Sequence, residues 1–265
     1  MFPAALRPWP VVGPGIREFR PFRVSPAHME AALPMLLLPG LLCDRALWQG
    51  LRPGLEEYAE VETLPSWECN QSLPQLADRL LNRLPDRFLL VGFSFGGYLA
   101  LEMACRAPQR LGGLALLSTR AGPDRAEERR QRETWLHQAR GEDFEDIVEA
   151  MLPRFLHPRH LKREELRESL RSMLLRNGFQ TFLQQQKAML LRRDWRPHLD
   201  RIQAPALVLC GQQDQVTPPD CSRAMASALT GAECHILPEC GHFSPMERPR
   251  TVLARVQAWL WRCLR

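Results

Sequence analysis

Leu89-Leu90-Val91-Gly92-Phe93-Ser94-Phe95-Gly96-Gly97-Tyr98 is the stretch on which the reading of this chain turns. An apolar run of strand length breaks at a glycine, presents a serine, and resumes as helix-forming sequence through Leu99, Leu101, Met103 and Ala104. The pattern predicts strand, sharp turn and helix. Residues 92–96 spell Gly-x-Ser-x-Gly, and sterics explain the glycines: a serine on a strained strand-to-helix turn leaves no room for side chains two positions to either side. Ser94 is then expected to stand exposed at the turn. The helix behind it aims its N-terminal amides, and the positive end of its dipole, at any negative charge forming there. The backbone N–H of Phe95 is the natural donor to such an oxyanion. A glycine-rich turn entering a helix would look the same in isolation, so the partners decide.

Outward from this stretch, strands and helices alternate as parallel βαβ units demand. Upstream, Met35–Leu38 is a short apolar run closed by Pro39-Gly40, residues 59–63 alternate like an edge strand, and residues 73–84 carry leucine at helical spacing. Downstream, 114–118 is another strand. From 120 to 199 the pattern changes to charged, helix-forming sequence broken at Pro153, Pro158 and Asn177-Gly178, with no strand-like run. The sheet pattern returns with Ala206–Gly211, a helix at 220–229, a strand at Glu233–Leu237 and an amphipathic closing helix. The fold class expected is α/β, a mostly parallel central sheet flanked by helices. Residues 29–119 and 200–265 form its core, 120–199 a helical cap over a pocket, and the proline- and arginine-rich residues 1–28 a flexible leader or an extension upstream of Met29.

Two residues complement Ser94. Asp214 follows the strand at 206–211, and His242, in Gly241-His242-Phe243, follows the strand at 233–237. All three leave the C-terminal ends of strands, where open α/β sheets bind ligands. A serine hydroxyl needs an imidazole to take its proton, and the imidazole needs a carboxylate to fix its tautomer and stabilise its cation. The catalytic residues expected are Ser94, Asp214 and His242, with Asp124 as the rival acid. Cys234, His235, Cys240 and His242 match no familiar zinc spacing, and no metal or other cofactor is expected.

Composition excludes other classes. The 265 residues carry 35 Lys and Arg against 30 Asp and Glu, interspersed without blocks, which gives nucleic-acid binding little support. No apolar run approaches the length of a membrane span or signal peptide. Eight cysteines without framework spacing suit a reducing cytoplasm.

With the serine turn, the acid loop and the Gly-His-Phe loop in this order, the chain from about Pro34 onward resembles the α/β-hydrolase fold superfamily. The likeness is to its capped branch of esterases, enol-lactonases and carbon–carbon bond hydrolases, pimeloyl-carrier-protein methyl ester esterases and 3-oxoadipate enol-lactonases most of all. That resemblance implies a second oxyanion amide at Leu41, although Pro39 stands where the family carries a histidine. It implies acyl transfer through Ser94 with Leu41 and Phe95 holding the oxyanion. The expected substrate is a small-molecule carboxylic ester of small to medium apolar acyl group. Phe93, Trp135, Phe155, Phe179, Phe182 and Phe243 are the candidate pocket residues, and core packing explains the same aromatics. The arginines of 120–199 could meet an acyl carrier protein or coenzyme A thioester. Enol-lactone or carbon–carbon bond hydrolysis would use the same triad, and a non-catalytic ligand receptor is the reading of a different class.

Overall fold

The apolar runs become strands β1 (Met35–Leu38), β2 (Val61–Thr63), β3 (Phe88–Phe93), β4 (Leu111–Leu117), β5 (Ala206–Gly211) and β6 (Glu233–Leu237) of one sheet, ordered β2-β1-β3-β4-β5-β6 with every neighbouring pair parallel. β1, β3, β4 and β5 are buried along their whole length, which is why they read as continuous apolar runs and not as alternating ones. The edge strand β2 keeps its alternation, with Glu62 between buried Val61 and Thr63. This computed structural model describes residues 33–65 and 72–265; the leader expected at 1–28 lies outside them.

Alternate residues of each strand feed two cores, following the two-residue period of the pleat. Leu36 and Leu38 of β1 join Leu90 of β3 on one face, packed by α2 (Leu73–Leu81) and α3 (Phe95–Arg106). Met35, Leu37, Leu89 and Val91 meet the opposite core, covered by α1 (Arg52–Glu56) and, from the chain end, α11 (Pro249–Cys263) through Val252, Val256 and Trp259. The start of α2 is fixed by a capping box between Ser72 and Gln75.

Between β4 and β5 lie α4 (Ala126–Gln138), α5 (Phe144–Phe155), α6 (Pro158–Leu161), α7 (Glu164–Asn177) and α8 (Phe179–Leu190). Pro158 sits in the first turn of α6, and Gly178, at φ 82, separates α7 from α8 as its position in the sequence implied. Pro153 does not break α5. It falls in the last turn, and the helix runs on past it to Phe155. The inner faces of α5, α7 and α8 continue the α11-side core through Phe155 and Phe243. Two further helices, α9 (Pro219–Ala228) and α10 (Ser244–Glu247), flank β6.

Register aligns the strand ends: Gly92 pairs with Leu116, Leu117 with Leu209, and Gly211 with Leu237. The loops after β3, β5 and β6 therefore open on the same edge of the sheet. Among the described residues no helix is long and apolar enough to cross a membrane.

Candidate active site

Ser94 holds φ 50 and ψ −113, a backbone conformation that costs a non-glycine residue about 1–3 kcal/mol. Its surroundings over-determine it. The Ser94 N–H donates to Leu117 O at 2.9 Å, and its carbonyl accepts from Gly97 N at 2.9 Å and Thr119 Oγ1 at 2.8 Å. The flanking glycines are needed for close approach: a Cβ on Gly92 would lie 2.8 Å from Gly96 O, and one on Gly96 would lie 2.6 Å from Pro39 O and closer still to Leu38 O. Ser94 is not exposed as the turn alone suggests; only 9% of it is accessible.

Asp214 follows β5 in a tight turn, and its carboxylate is saturated with donors. Oδ1 accepts from Val216 N and Thr217 N, both at 2.9 Å, and Oδ2 accepts from Thr217 Oγ1 at 3.0 Å, while His242 Nδ1 lies 2.8 Å from Oδ2 and 3.0 Å from Oδ1. Burial by itself would raise its pKa; His242 and the Thr217 and Val216 amides outweigh it and hold the carboxyl below its ordinary range. An ionised carboxylate only accepts, so the His242 proton resides on Nδ1. That leaves Nε2 as the acceptor for the Ser94 hydroxyl, 2.9 Å away.

The histidine loop is gripped from two sides. Gln213 N donates to Cys240 O at 2.9 Å while Cys240 N donates to Gln213 Oε1 at 3.1 Å, tying the loop to the acid turn. From the inserted helices, Phe155 O accepts from His242 N at 2.8 Å, and the Phe155 ring stacks on the imidazole at 5.8 Å. Buried Glu247 completes the clasp, accepting from Gly241 N at 3.0 Å, His157 N at 2.8 Å and His160 Nδ1 at 2.8 Å. No motif in the sequence pointed to Glu247 or Thr217; the only signal for Thr217 was its place three residues after the acid.

A cavity of about 560 Å³ opens onto Ser94 and His242, a size usual for small-molecule sites. Leu41, Phe93, Trp135, Phe155 and Phe243 line it. Phe179 and Phe182 do not: Phe182 lies edge-on behind Trp135 at 5.4 Å, and both pack on Phe144 at 5.8 and 5.9 Å. The Phe95 ring turns into the core against Tyr98, leaving only its backbone at the turn. The Leu41 N–H has no hydrogen-bond partner among the described residues.

Asp124, the rival acid, is committed elsewhere. Arg120 at 3.1 Å, Arg132 at 2.8 Å and Arg192 at 2.8 Å surround it, and the first two also line the cavity. Burial would raise its pKa, and Arg192 and Arg132 instead lower it. Cys234 is exposed and Cys240 buried, and among the described residues no group of three or more His, Cys, Asp or Glu is disposed to hold a metal ion.

A six-stranded parallel sheet with a serine on a strained turn after β3, and a carboxylate–histidine pair after β5 and β6, defines an α/β hydrolase. The chain belongs to the alpha/beta hydrolase family, which it matches over residues 35–256. It is 30% identical over 194 residues to the pimeloyl-[acyl-carrier protein] methyl ester esterase of Chromobacterium violaceum, 68% of this chain and 74% of that protein. Against the biotin biosynthesis bifunctional protein BioHC of Teredinibacter turnerae it is 26% identical over 273 residues, 92% of this chain but 48% of that protein, so it spans about half the length of that relative. Among solved structures, a thermophilic esterase from Thermogutta terrifontis aligns with a TM-score of 0.79 at 28% identity, covering 89% of this chain and 92% of that one.

Proposed function

We propose that the protein is a serine hydrolase cleaving carboxylic esters of small to medium apolar acyl groups through an acyl-enzyme. The observation that carries this reading is the continuous line of hydrogen bonds from Asp214 through His242 to Ser94 Oγ, at 2.8 and 2.9 Å, on the wall of a largely apolar cavity. Residues 120–199 serve as its cap. Ser94 attacks the ester carbonyl while its proton passes to His242 Nε2, and Asp214 stabilises the imidazolium. The N–H groups of Leu41 and Phe95 hold the oxyanion, as fixed donors that need no reorientation when the charge develops. His242 then protonates the departing alkoxide, and a water activated by the same imidazole releases the acid. No resident cofactor enters the cycle.

A second reading has a specific observation behind it: the Chromobacterium violaceum relative is named for an ester on an acyl carrier protein. Arg163, exposed at the start of α7, and Arg129 on α4 could meet an acidic carrier. Turnover of a carrier-linked ester that falls with salt and with charge reversal at these arginines would favour it, whereas a small-ester enzyme would hardly respond.

The test is hydrolysis of p-nitrophenyl esters from acetate to decanoate by the wild-type chain and by Ser94→Ala. Turnover that disappears in the variant supports the reading, and its chain-length profile sizes the pocket. A folded wild-type protein that turns over none of them overturns the general esterase. Ligand binding without turnover, unchanged in Ser94→Ala, would indicate a receptor.

A further inference from the structure

The loop that presents the Leu41 N–H is strained, and what restrains it comes from the inserted helices α7 and α8. Residues 40–43 form a turn closed by Cys43 N–H donating to Gly40 O at 3.1 Å. Leu42 occupies the third position at φ 55, where turns of type II take glycine or asparagine. Left-handed backbone costs a residue such as leucine about 1–2 kcal/mol. Pro39, at the base of the loop, has neither an N–H nor a polar side chain to offer.

The peptide between Leu41 and Leu42 is held at both ends. Cys43 Sγ donates to Leu41 O at 3.3 Å, and Leu42 N–H donates to Gln185 Oε1 at 2.9 Å. Gln185 belongs to α8, 143 residues further along the chain, and is 0% exposed. On the other side of Leu42, its carbonyl accepts from Asn177 Nδ2 at 2.9 Å, and Arg176 pairs with Asp44 at 2.7 Å just beyond. Among the described residues Gln185 Nε2 is buried with no hydrogen-bond partner. Burying an amide half satisfied is unfavourable, and reversing it would set its NH2 against the Leu42 N–H, donor against donor. The core around α8 would pack an apolar residue of this size at lower cost. The glutamine is explained by the one bond its oxygen makes.

We propose that Gln185, seconded by Asn177, is a positioning residue for the oxyanion hole: by fixing the Leu41–Leu42 peptide against a flip, it keeps the adjoining Leu41 N–H aimed into the cavity. The inference rests on the acyl-transfer reading of Ser94 and Leu41. It makes the inserted helices more than a cover, since the second oxyanion donor is in place only while α7 and α8 are seated on the loop. Loss of the Gln185–Leu42 bond alone would leave the Asp214–His242–Ser94 line intact and still slow the chemical step.

The experiment compares the wild type with Ser94→Ala, Gln185→Met and Gln185→Glu on p-nitrophenyl butyrate, with thermal melts on each. Gln185→Met keeps the volume and removes the acceptor; Gln185→Glu keeps an oxygen at the same reach. The expected result is a fall in kcat of about ten- to a hundredfold in Gln185→Met, with KM within about threefold, because the lost interaction acts in the transition state. Gln185→Glu is expected to recover most of that loss. A folded Gln185→Met with kcat within about twofold of wild type overturns the proposal, and so does an equal loss in both variants, which would mean packing alone. Should Gln185→Met fail to fold, Asn177→Leu carries the same test from the other side of Leu42: reduced kcat at constant KM supports the proposal, and unchanged kcat overturns it. Ser94→Ala that retains turnover would overturn the acyl-transfer reading itself, a separate failure.

Discussion

Replacing Asp214 with asparagine changes one atom, and the surroundings of that atom dictate the consequence. An amide nitrogen placed at Oδ1 would face the Val216 and Thr217 N–H groups, leaving two buried donors unpaired at about 1–3 kcal/mol each. Placed at Oδ2 it faces Thr217 Oγ1, whose hydroxyl can turn to accept, and His242 Nδ1. The second orientation is therefore favoured by about 2–6 kcal/mol, twice the single-donor penalty. It presents a donor to Nδ1 at the shorter of its two contacts, 2.8 Å against 3.0 Å to Oδ1, which favours the imidazole tautomer with its proton on Nε2, unable to accept one from Ser94. The fold survives while the general base is lost, and kcat is expected to drop about 10⁴-fold, or about 5 kcal/mol of barrier. Steady-state hydrolysis of a p-nitrophenyl ester, with circular dichroism and a thermal melt as controls, measures this directly. A folded Asp214→Asn protein with kcat within about tenfold of wild type would refute the tautomer argument.

Three other outcomes are expected. Glu247→Ala leaves the Gly241 and His157 N–H groups buried without acceptors, so denaturant unfolding should show a loss of about 2–6 kcal/mol, at 1–3 kcal/mol per orphaned donor. Gly96→Ala drives a Cβ to 2.6 Å from Pro39 O, and the elbow must shift; the variant should melt far below wild type or fail to accumulate in soluble form. Burial disfavours the Asp124 charge, but Arg192 and Arg132 outweigh it and depress its folded pKa. Its stabilisation is thus present above the ordinary carboxylate range near pH 4 and lost as pH falls through the depressed value. Unfolding free energies measured from about pH 6 to 2 should fall less steeply in Asp124→Asn than in wild type.

Much of the fold could be read from the sequence because its signals are local. β1, β3, β4 and β5 are buried on both faces, so each had to be an unbroken apolar run, and the elbow's glycines answer to atoms within a few residues or in the adjoining strand. Strand-end positions then sufficed to place Ser94, Asp214 and His242 on one edge, and the structure brings their side chains into hydrogen-bond contact. What stayed hidden depends on partners distant in sequence. Phe179 and Phe182 read equally as pocket or core aromatics, and nothing local tells that they meet Phe144 and Trp135 instead of the cavity. Arg132 and Arg192 read as arginines of 120–199 free to meet an acidic partner; they close instead around Asp124, the latter 68 residues from it. Nor does any local pattern tie Gln185 to Leu42. Pro153 reads as a breaker, yet α5 runs two residues past it, to Phe155, before it stops.

The most direct test of the central claim is intact-protein and peptide mass spectrometry after treatment with a p-nitrophenyl alkylphosphonate, a reagent that captures an activated serine. The account predicts a single alkylphosphonyl adduct on the peptide containing Ser94, absent from Ser94→Ala and slowed severely in His242→Ala. A folded wild-type protein that remains unlabelled, or carries the adduct on any other residue, would contradict it.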